Sequence, residues 1–235
     1  MFHEYRRYFG CLVLLIVWTN MNTQAQVIAT GSLRATMWEG QLAGLVAIDT
    51  LAFPGTFGLG PLEYLQGEIT VMDGRSFISY MENDGTVVVE EQTQVSAPFF
   101  VHQHVAEWEE FAIDEDVIDL PALDAFLFRQ FEEREAPFFF RFRGSITEGT
   151  AHVMDVPPGS TIKGPADAHA SQKHFMVHDA EVELIGVFST KHKTVFTHHD
   201  SNIHVHLITM DRKLMGHLDR LLMNPSRMRL EVAKP

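Results

Sequence analysis

The chain has 235 residues, 46% of them hydrophobic, with 18 lysines and arginines set against 31 aspartates and glutamates. That length and apolar content suffice for one large or two small globular domains with a real core. A net charge of -13 argues against a nucleic-acid backbone as partner, because such binding rests on clustered cations that neutralise phosphates; an anionic small molecule would need a local cation.

Residues 1–25 differ from the rest: Arg6 and Arg7 precede the apolar run from Cys11 to Trp18, and Thr23-Gln24-Ala25 offers a small residue before Gln26. This is the pattern of a secretory signal peptide, and the run is too short for a comfortable membrane span. The expected mature chain is exported, periplasmic or extracellular, and has no span. Removing Glu4, Arg6 and Arg7, a balance of +1, takes the charge from -13 to -14. Cys11 goes with the signal, so histidine, aspartate and glutamate remain as the strong metal ligands of the mature chain.

Ser32 caps a short predicted helix through Trp38, and Asp49 or Thr50 caps another before Pro54. Gly55 to Leu62 reads as a glycine-punctuated loop, and Leu65 to Met72 as a strand closed by a turn at Asp73-Gly74. Glu68 stands at the start of that apolar strand, where a carboxylate either points to water or is held for a purpose; the sequence leaves both readings open. Strands at about 76–81 and 86–91 continue a meander through the turn Asn83-Asp84-Gly85. His102 and His104 then form an H-x-H pair with no third histidine at short range, which reads as structural or surface, with metal binding as a minor alternative.

Leu120, Leu123, Leu127 and Phe131 recur at steps of three and four behind Asp119, predicting an amphipathic helix over 120–135. Pro137 stops it, and Phe138 to Gly144 opens a strongly β-prone run, so a domain boundary is expected here, dividing 26–135 from 136–235. Arg141 and Arg143 share one face of that strand, opposite Phe140 and Phe142. Such a pair suits a carboxylate if the face meets a cleft, and is an ordinary solvated surface if it does not. Residues 157–165 read as loop and 181–189 as a buried strand. His169, His174, His178, His192, His198 and His199 lie in mixed surroundings and read mostly as surface residues, with His198-His199-Asp200 a candidate outer support for the motif that follows.

That motif is I-H-V-H-L-I-T-M-D-R-K-L-M-G-H-L, residues 203–218. In a strand, His204 and His206 project from the same face. Asp211-Arg212-Lys213 interrupts the apolar pattern, so a reversal there brings His217 back beside them. Three neutral imidazoles suit zinc or a similar divalent transition metal, and three protein ligands leave a coordination position open, the arrangement of catalytic sites. The alternative is a surface strand that carries the spacing by chance in a chain with 13 histidines.

Four blocks, in order, resemble the acetolactate decarboxylases: F-G-L-G-P-L-E-Y-L-Q-G-E-I-T-V-M-D-G at 57–74, A-P-F-F at 97–100, F-F-F-R-F-R-G at 138–144, and H-V-H with M-G-H at 204–217. The resemblance implies an α+β fold of two β-rich domains, mixed sheets or partial barrels with a few helices, a cleft between them and the metal in the second. It implies His204, His206 and His217 as ligands of zinc or another divalent transition metal, Glu68 as a cleft carboxylate that moves a proton, and Arg141 as the cation beside the substrate. The implied reaction is metal-dependent decarboxylation of 2-acetolactate, a small anionic hydroxy-keto acid, to acetoin and CO2. Pro61 stands where the family usually has threonine, Arg143 where an acidic residue is common, and Glu231, in a strand expected over 228–233, does not replace the glutamate of the family's C-terminal tail. These departures keep open a related metalloenzyme for another 2-hydroxy-3-oxo acid, and a non-catalytic exported metal-binding protein. A homodimer is also left open.

Overall fold

The computed structural model describes residues 26–235; the expected signal peptide lies outside them. The first half builds one antiparallel sheet. It comprises β1 (Ile28–Thr30), β3 (Thr56–Pro61), β4 (Glu68–Met72), β5 (Arg75–Met81), β6 (Val87–Glu91) and β8 (Phe100–His104), in the order β1-β8-β3-β4-β5-β6. The helix α1 (Leu33–Glu39) follows β1, and Ser32 caps it as expected by accepting the Ala35 amide at 3.0 Å. The two-residue strands β2 (Val46–Ala47) and β7 (Ser96–Ala97) pair with each other beside this sheet. The expected second helix is a single 3-10 turn, Ile48–Thr50, with Ala47 at its cap position.

The expected loop at 55–62 is instead the buried strand β3. Its glycines serve packing and not flexibility: a Cβ at Gly58 would collide with the Phe100 ring of the neighbouring strand. A glycine-rich stretch reads as loop in one dimension, but close approach of a neighbouring side chain is the other reason to omit a Cβ. The turn between β4 and β5 is the predicted one, with Asp73 and Gly74 both at positive φ.

The second half is dominated by long strands. The strands β9 (Trp108–Phe111), β10 (Phe138–Met154), β11 (Gln172–Phe188), β12 (Ile203–Thr209) and β13 (Met215–Ala233) pair in the order β10-β11-β12-β13-β9. Because β10 also pairs with β13, the ladder β10-β11-β12-β13 returns on itself and closes. Alternation then sorts the side chains. Phe138, Phe140, Phe142, Leu184, Val205 and Leu207 fill the closed side, together with Leu123, Phe126 and Leu127 of α2 (Leu120–Phe131). Phe139, Ile185, Val187 and Ile208 point the other way and pack against Phe57, Leu59 and Val101 of the first sheet. Phe139 is wholly buried in that seam, and truncating such a ring to alanine costs about 3–5 kcal/mol. The short α3 (Pro165–His169) links β10 to β11.

The two β-rich halves match the expected architecture, but the break between the sheets does not fall at 135/136. Strand β9 pairs with β13, and α2 buries its apolar stripe in the core of the second sheet, so the change of sheet comes between His104 and Trp108. Pro137 marks only the end of a helical segment: α2 stops at Phe131. The strands expected at 138–144, 181–189 and 228–233 are the ends of elements of 17, 17 and 19 residues. Their remaining stretches lack a clear period of two, because β10 shifts register at several points along β13, and β13 passes from β12 to β9 along its length.

Candidate metal centre

Strand β12 puts Val205 and Leu207 into the barrel core, so His204 and His206 face the first sheet. The turn at Asp211-Arg212-Lys213 reverses the chain, with Arg212 at φ 59, and places His217 directly across from His206. Ligating nitrogens of His204, His206 and His217 lie within 4.8 Å of one another. The neighbouring Gly216 matters here, since a Cβ on it would run into the His152 carbonyl of β10. Glycine lets β10 close on β13 beside the site.

Each ring of the first pair is oriented by its far nitrogen. His204 Nδ1 lies 2.9 Å from the Phe196 carbonyl oxygen, and His206 Nδ1 lies 2.9 Å from Thr70 Oγ1 of β4. A carbonyl can only accept, so His204 carries its proton on Nδ1 and turns the Nε2 lone pair inward. His206 Nε2 is buried and has no hydrogen-bond partner. A buried nitrogen without a partner costs free energy, and a bound metal ion would remove that cost. Burial holds all three imidazoles well below their ordinary pKa, His206 down to about 3, with neighbouring histidines adding repulsion against protonation. The trio is therefore neutral, the form that ligates. These residues fit a divalent transition metal by donor type, number and protonation.

Glu68 comes from the first sheet. It begins β4, shares a face with Thr70 and Met72, is only 3% exposed, and sets Oε2 3.7 Å from His206 Nε2. Burial pushes its carboxyl well above the ordinary range, against a backbone hydrogen bond from Met154 and helped by the charge of Asp219. With the histidine held neutral, this contact is not an ion pair. Thus the structure brings together Glu68, His204, His206 and His217, four of the five expected site residues.

The fifth, Arg141, is elsewhere. In the ladder, Arg141 pairs with Ile185 and Ile185 with His206, so the arginine sits on the same face but two strands away. Its Nε and Nη2 bind Glu231 at 2.9 and 3.1 Å, and its guanidinium lies 4.4 Å from the Trp108 ring. Arg143 binds the same carboxylate at 2.6 Å. Burial works to raise the Glu231 carboxyl, but the two arginines outweigh it and hold it below the usual range. Glu231, read from sequence as a strand residue that does not replace the glutamate of the family's C-terminal tail, thus occupies the cation expected to meet the substrate.

A cavity of about 210 Å³ opens on the histidines. Glu68, His152, His198, His204 and His217 supply its polar wall, and Leu33, Met37 and Trp38 of α1 with Phe99 and Met154 its apolar one; among the described residues neither a lysine nor an arginine lines it. His152 is the residue that sequence reading passed over. It is buried on β10, its ring centroid 4.8 Å from that of His217, and its Nδ1 lies 2.9 Å from Asp219. Nothing local marks His152, but His217 and Asp219 alternate along one strand, and that spacing was legible. His198, read as an outer support, has its ring 5.2 Å from His217. His102 and His104 lie in neither group of side chains able to hold a metal ion among the described residues.

Two antiparallel sheets, one closed on itself, with three neutral imidazoles and a buried carboxyl at their seam, define a mostly β protein whose centre can hold a metal ion and a small guest. The chain belongs to the alpha-acetolactate decarboxylase family, whose family model matches residues 28–234. Among solved structures, it is similar to alpha-acetolactate decarboxylase from Bacillus subtilis strain 168, with TM-score 0.72 and 14% identity over 90% of this chain and 86% of that one. It is equally similar to the acetolactate decarboxylase of Bacillus subtilis subspecies spizizenii, with TM-score 0.72 and 14% identity over 90% and 87%. A Staphylococcus aureus protein of unknown function, similar to alpha-acetolactate decarboxylase, matches with TM-score 0.71 and 15% identity over 88% and 84%. At these identities the likeness is one of fold. No curated protein sequence matches the chain.

Proposed function

We propose that the protein is an exported, metal-dependent carboxy-lyase that converts 2-acetolactate to acetoin and CO2 at the centre formed by His204, His206 and His217. The observation that supports this most directly is the buried, partnerless His206 Nε2 beside a cavity that Glu68 also lines, its carboxyl pushed up by burial. His204, His206 and His217 would hold zinc or a related divalent ion, which would supply a Lewis acid at this centre. The residues of the chain do the rest. The apolar wall of Leu33, Met37 and Trp38 keeps water from the reacting carbon and receives the methyl groups. As the carbon–carbon bond to the carboxylate breaks, CO2 leaves and the electron pair passes toward the neighbouring ketone oxygen. Glu68, whose carboxyl burial pushes up toward the acid form, donates a proton to the carbon that lost CO2, and water restores that proton. Export rests on the signal pattern of residues 1–25, and among the described residues no helix is long and apolar enough to cross a membrane.

The test is acetoin formation from racemic acetolactate by purified protein, before and after chelation and after zinc is restored. Turnover is expected to vanish with chelator and return with metal. Glu68→Gln is expected to keep its metal and lose about 100- to 10,000-fold in kcat. Zinc bound without acetoin formed would remove acetolactate as the substrate.

A further inference from the structure

Four histidines stand in one row across the closed sheet. His206 of β12 pairs with His217 of β13, His217 pairs with His152 of β10, and His152 pairs with His174 of β11. Adjacent strands are about 4.8 Å apart, and the ring centroids follow that spacing at 5.7, 4.8 and 5.5 Å. The first half of the row, with His204, is the centre already described. The second half has its own carboxylate. Asp219, two residues beyond His217 on β13, lies 2.9 Å from His152 Nδ1 and 3.6 Å from His174 Nε2. Ligand atoms of these three also fall within 4.8 Å of one another.

We propose that His152, His174 and Asp219 form a second site for a divalent transition-metal ion, beside the first. Two imidazoles and a carboxylate are a common ligand set for zinc and its neighbours. His152 and His174 face each other in the β10–β11 ladder, and Asp219 stands at the bulge where β13 shifts register against β10, so the set is presented by the sheet and does not depend on a mobile loop. Gln172, on the same strand as His174, places its side-chain amide 3.1 Å from His152 Nε2; with Nδ1 on the ion the neutral ring carries its proton on Nε2, and the Gln172 amide, rotated to present its oxygen, accepts that hydrogen bond. The His174 side chain is 51% exposed and that of Asp219 27%. The site therefore opens to solvent, leaves room for water ligands, and binds more weakly than the buried trio. The ion takes the place of the hydrogen bond between His152 Nδ1 and Asp219. The simpler role for these residues, a carboxylate that only orients His152, needs neither His174 nor a second ion.

The proposal concerns metal stoichiometry and stands apart from turnover: two ions bound with acetolactate untouched would keep it and sink the decarboxylase reading. Purified protein, stripped with chelator, is titrated with Zn2+ or Co2+ alone and followed by calorimetry and native mass spectrometry. Two equivalents of unequal affinity are expected in the parent protein. His174→Ala, an exposed position whose loss leaves the core intact, is expected to retain only the tighter equivalent, and His206→Ala only the weaker. Asp219→Asn, which keeps shape and removes charge, is expected to weaken the second equivalent by at least about tenfold. A single equivalent in the parent protein, two equivalents of unchanged affinity in His174→Ala, or no metal in His206→Ala would each overturn the second site.

Discussion

The chain carries two H-x-H strands that the sequence presents alike, and the fold treats them differently. On β8, His102 and His104 share a face with Phe100, on the side of the first sheet turned away from the seam, while Val101 packs into the seam. Their cross-strand neighbours are Ile28, Thr56 and Gly58, none able to ligate through a side-chain nitrogen or carboxylate. On β12 the alternation is set the other way, and His204 and His206 enter the seam, where β13 offers His217 and β4 offers Thr70 and Glu68. Spacing decides only that two imidazoles share a face. What lies across from that face decides whether they become a site.

The sharpest way to break this contrast is to exchange the losses. His206→Ala is expected to abolish tight metal binding and to lower turnover by about a thousandfold or more, whereas His102→Ala should leave the metal content unchanged. Metal analysis of both variants by mass spectrometry checks it; loss of metal in the His102 variant would mean that the two strands are not different in kind. A second test asks how far the reactive face extends along the row from His206. Arg141 lies beyond Ile185 and is paired with Glu231, the two side chains 16% and 12% exposed. Arg141→Ala is expected to cost about 3 kcal/mol of stability by leaving Glu231 with reduced partnership, while the metal stays bound; urea unfolding and metal analysis separate the two. A rise in KM out of proportion to the stability loss would place the guanidinium beside the substrate after all.

A smaller effect isolates the contribution of the first sheet. Thr70→Val keeps the volume but removes the partner of His206 Nδ1, and metal affinity is expected to fall about 10- to 100-fold. Calorimetric titration reads that directly, and an unchanged affinity would show that packing alone orients the ring. The smallest effect per unit is one of pH on the metal-free protein. Unfolded, His206 takes up a proton near its ordinary 6.5; folded, burial delays this to about 3. Between those values the unfolded chain binds more protons, so stability falls as pH falls, by up to about 1.4 kcal/mol per pH unit for this histidine. His204 and His217 are shifted in the same direction. Urea midpoints of chelated protein at about pH 7.5 and about pH 5.5 should show the decline; zinc raises both midpoints but leaves the decline, because the unfolded chain still takes up the protons. Equal midpoints would mean that the rings are not buried in solution.

Much of the site is local enough to be visible in one dimension. His204, His206 and His217 are joined by a single reversal, so an alternating pattern and a polar break suffice to bring them together. Glu68 was legible as an anomaly, a carboxylate in an apolar strand, but its purpose was not, because its partners come from a strand more than a hundred residues away. Arg141 shows the reverse error: its face was read correctly, and Glu231 on β13, 90 residues on, takes up the charge. His152 left no signal at all, since its neighbours His217 and His174 are set by strand register and not by its own surroundings.

The sequence by itself determined the pattern of faces: which side chains alternate together on a strand, where Ser32 and Asp119 start helices, where Asp73-Gly74 turns the chain, and that three imidazoles could converge. Only the tertiary structure decided that β3 is a strand and not a loop, that β9 and α2 belong with the second sheet, and that the seam faces Glu68 toward the histidines and Arg141 toward Glu231. Periodicity is a property of neighbouring residues and survives in a linear reading. Closure of a sheet and the pairing of charges across it depend on which distant strands meet, and that is fixed by the packing of the two cores as wholes.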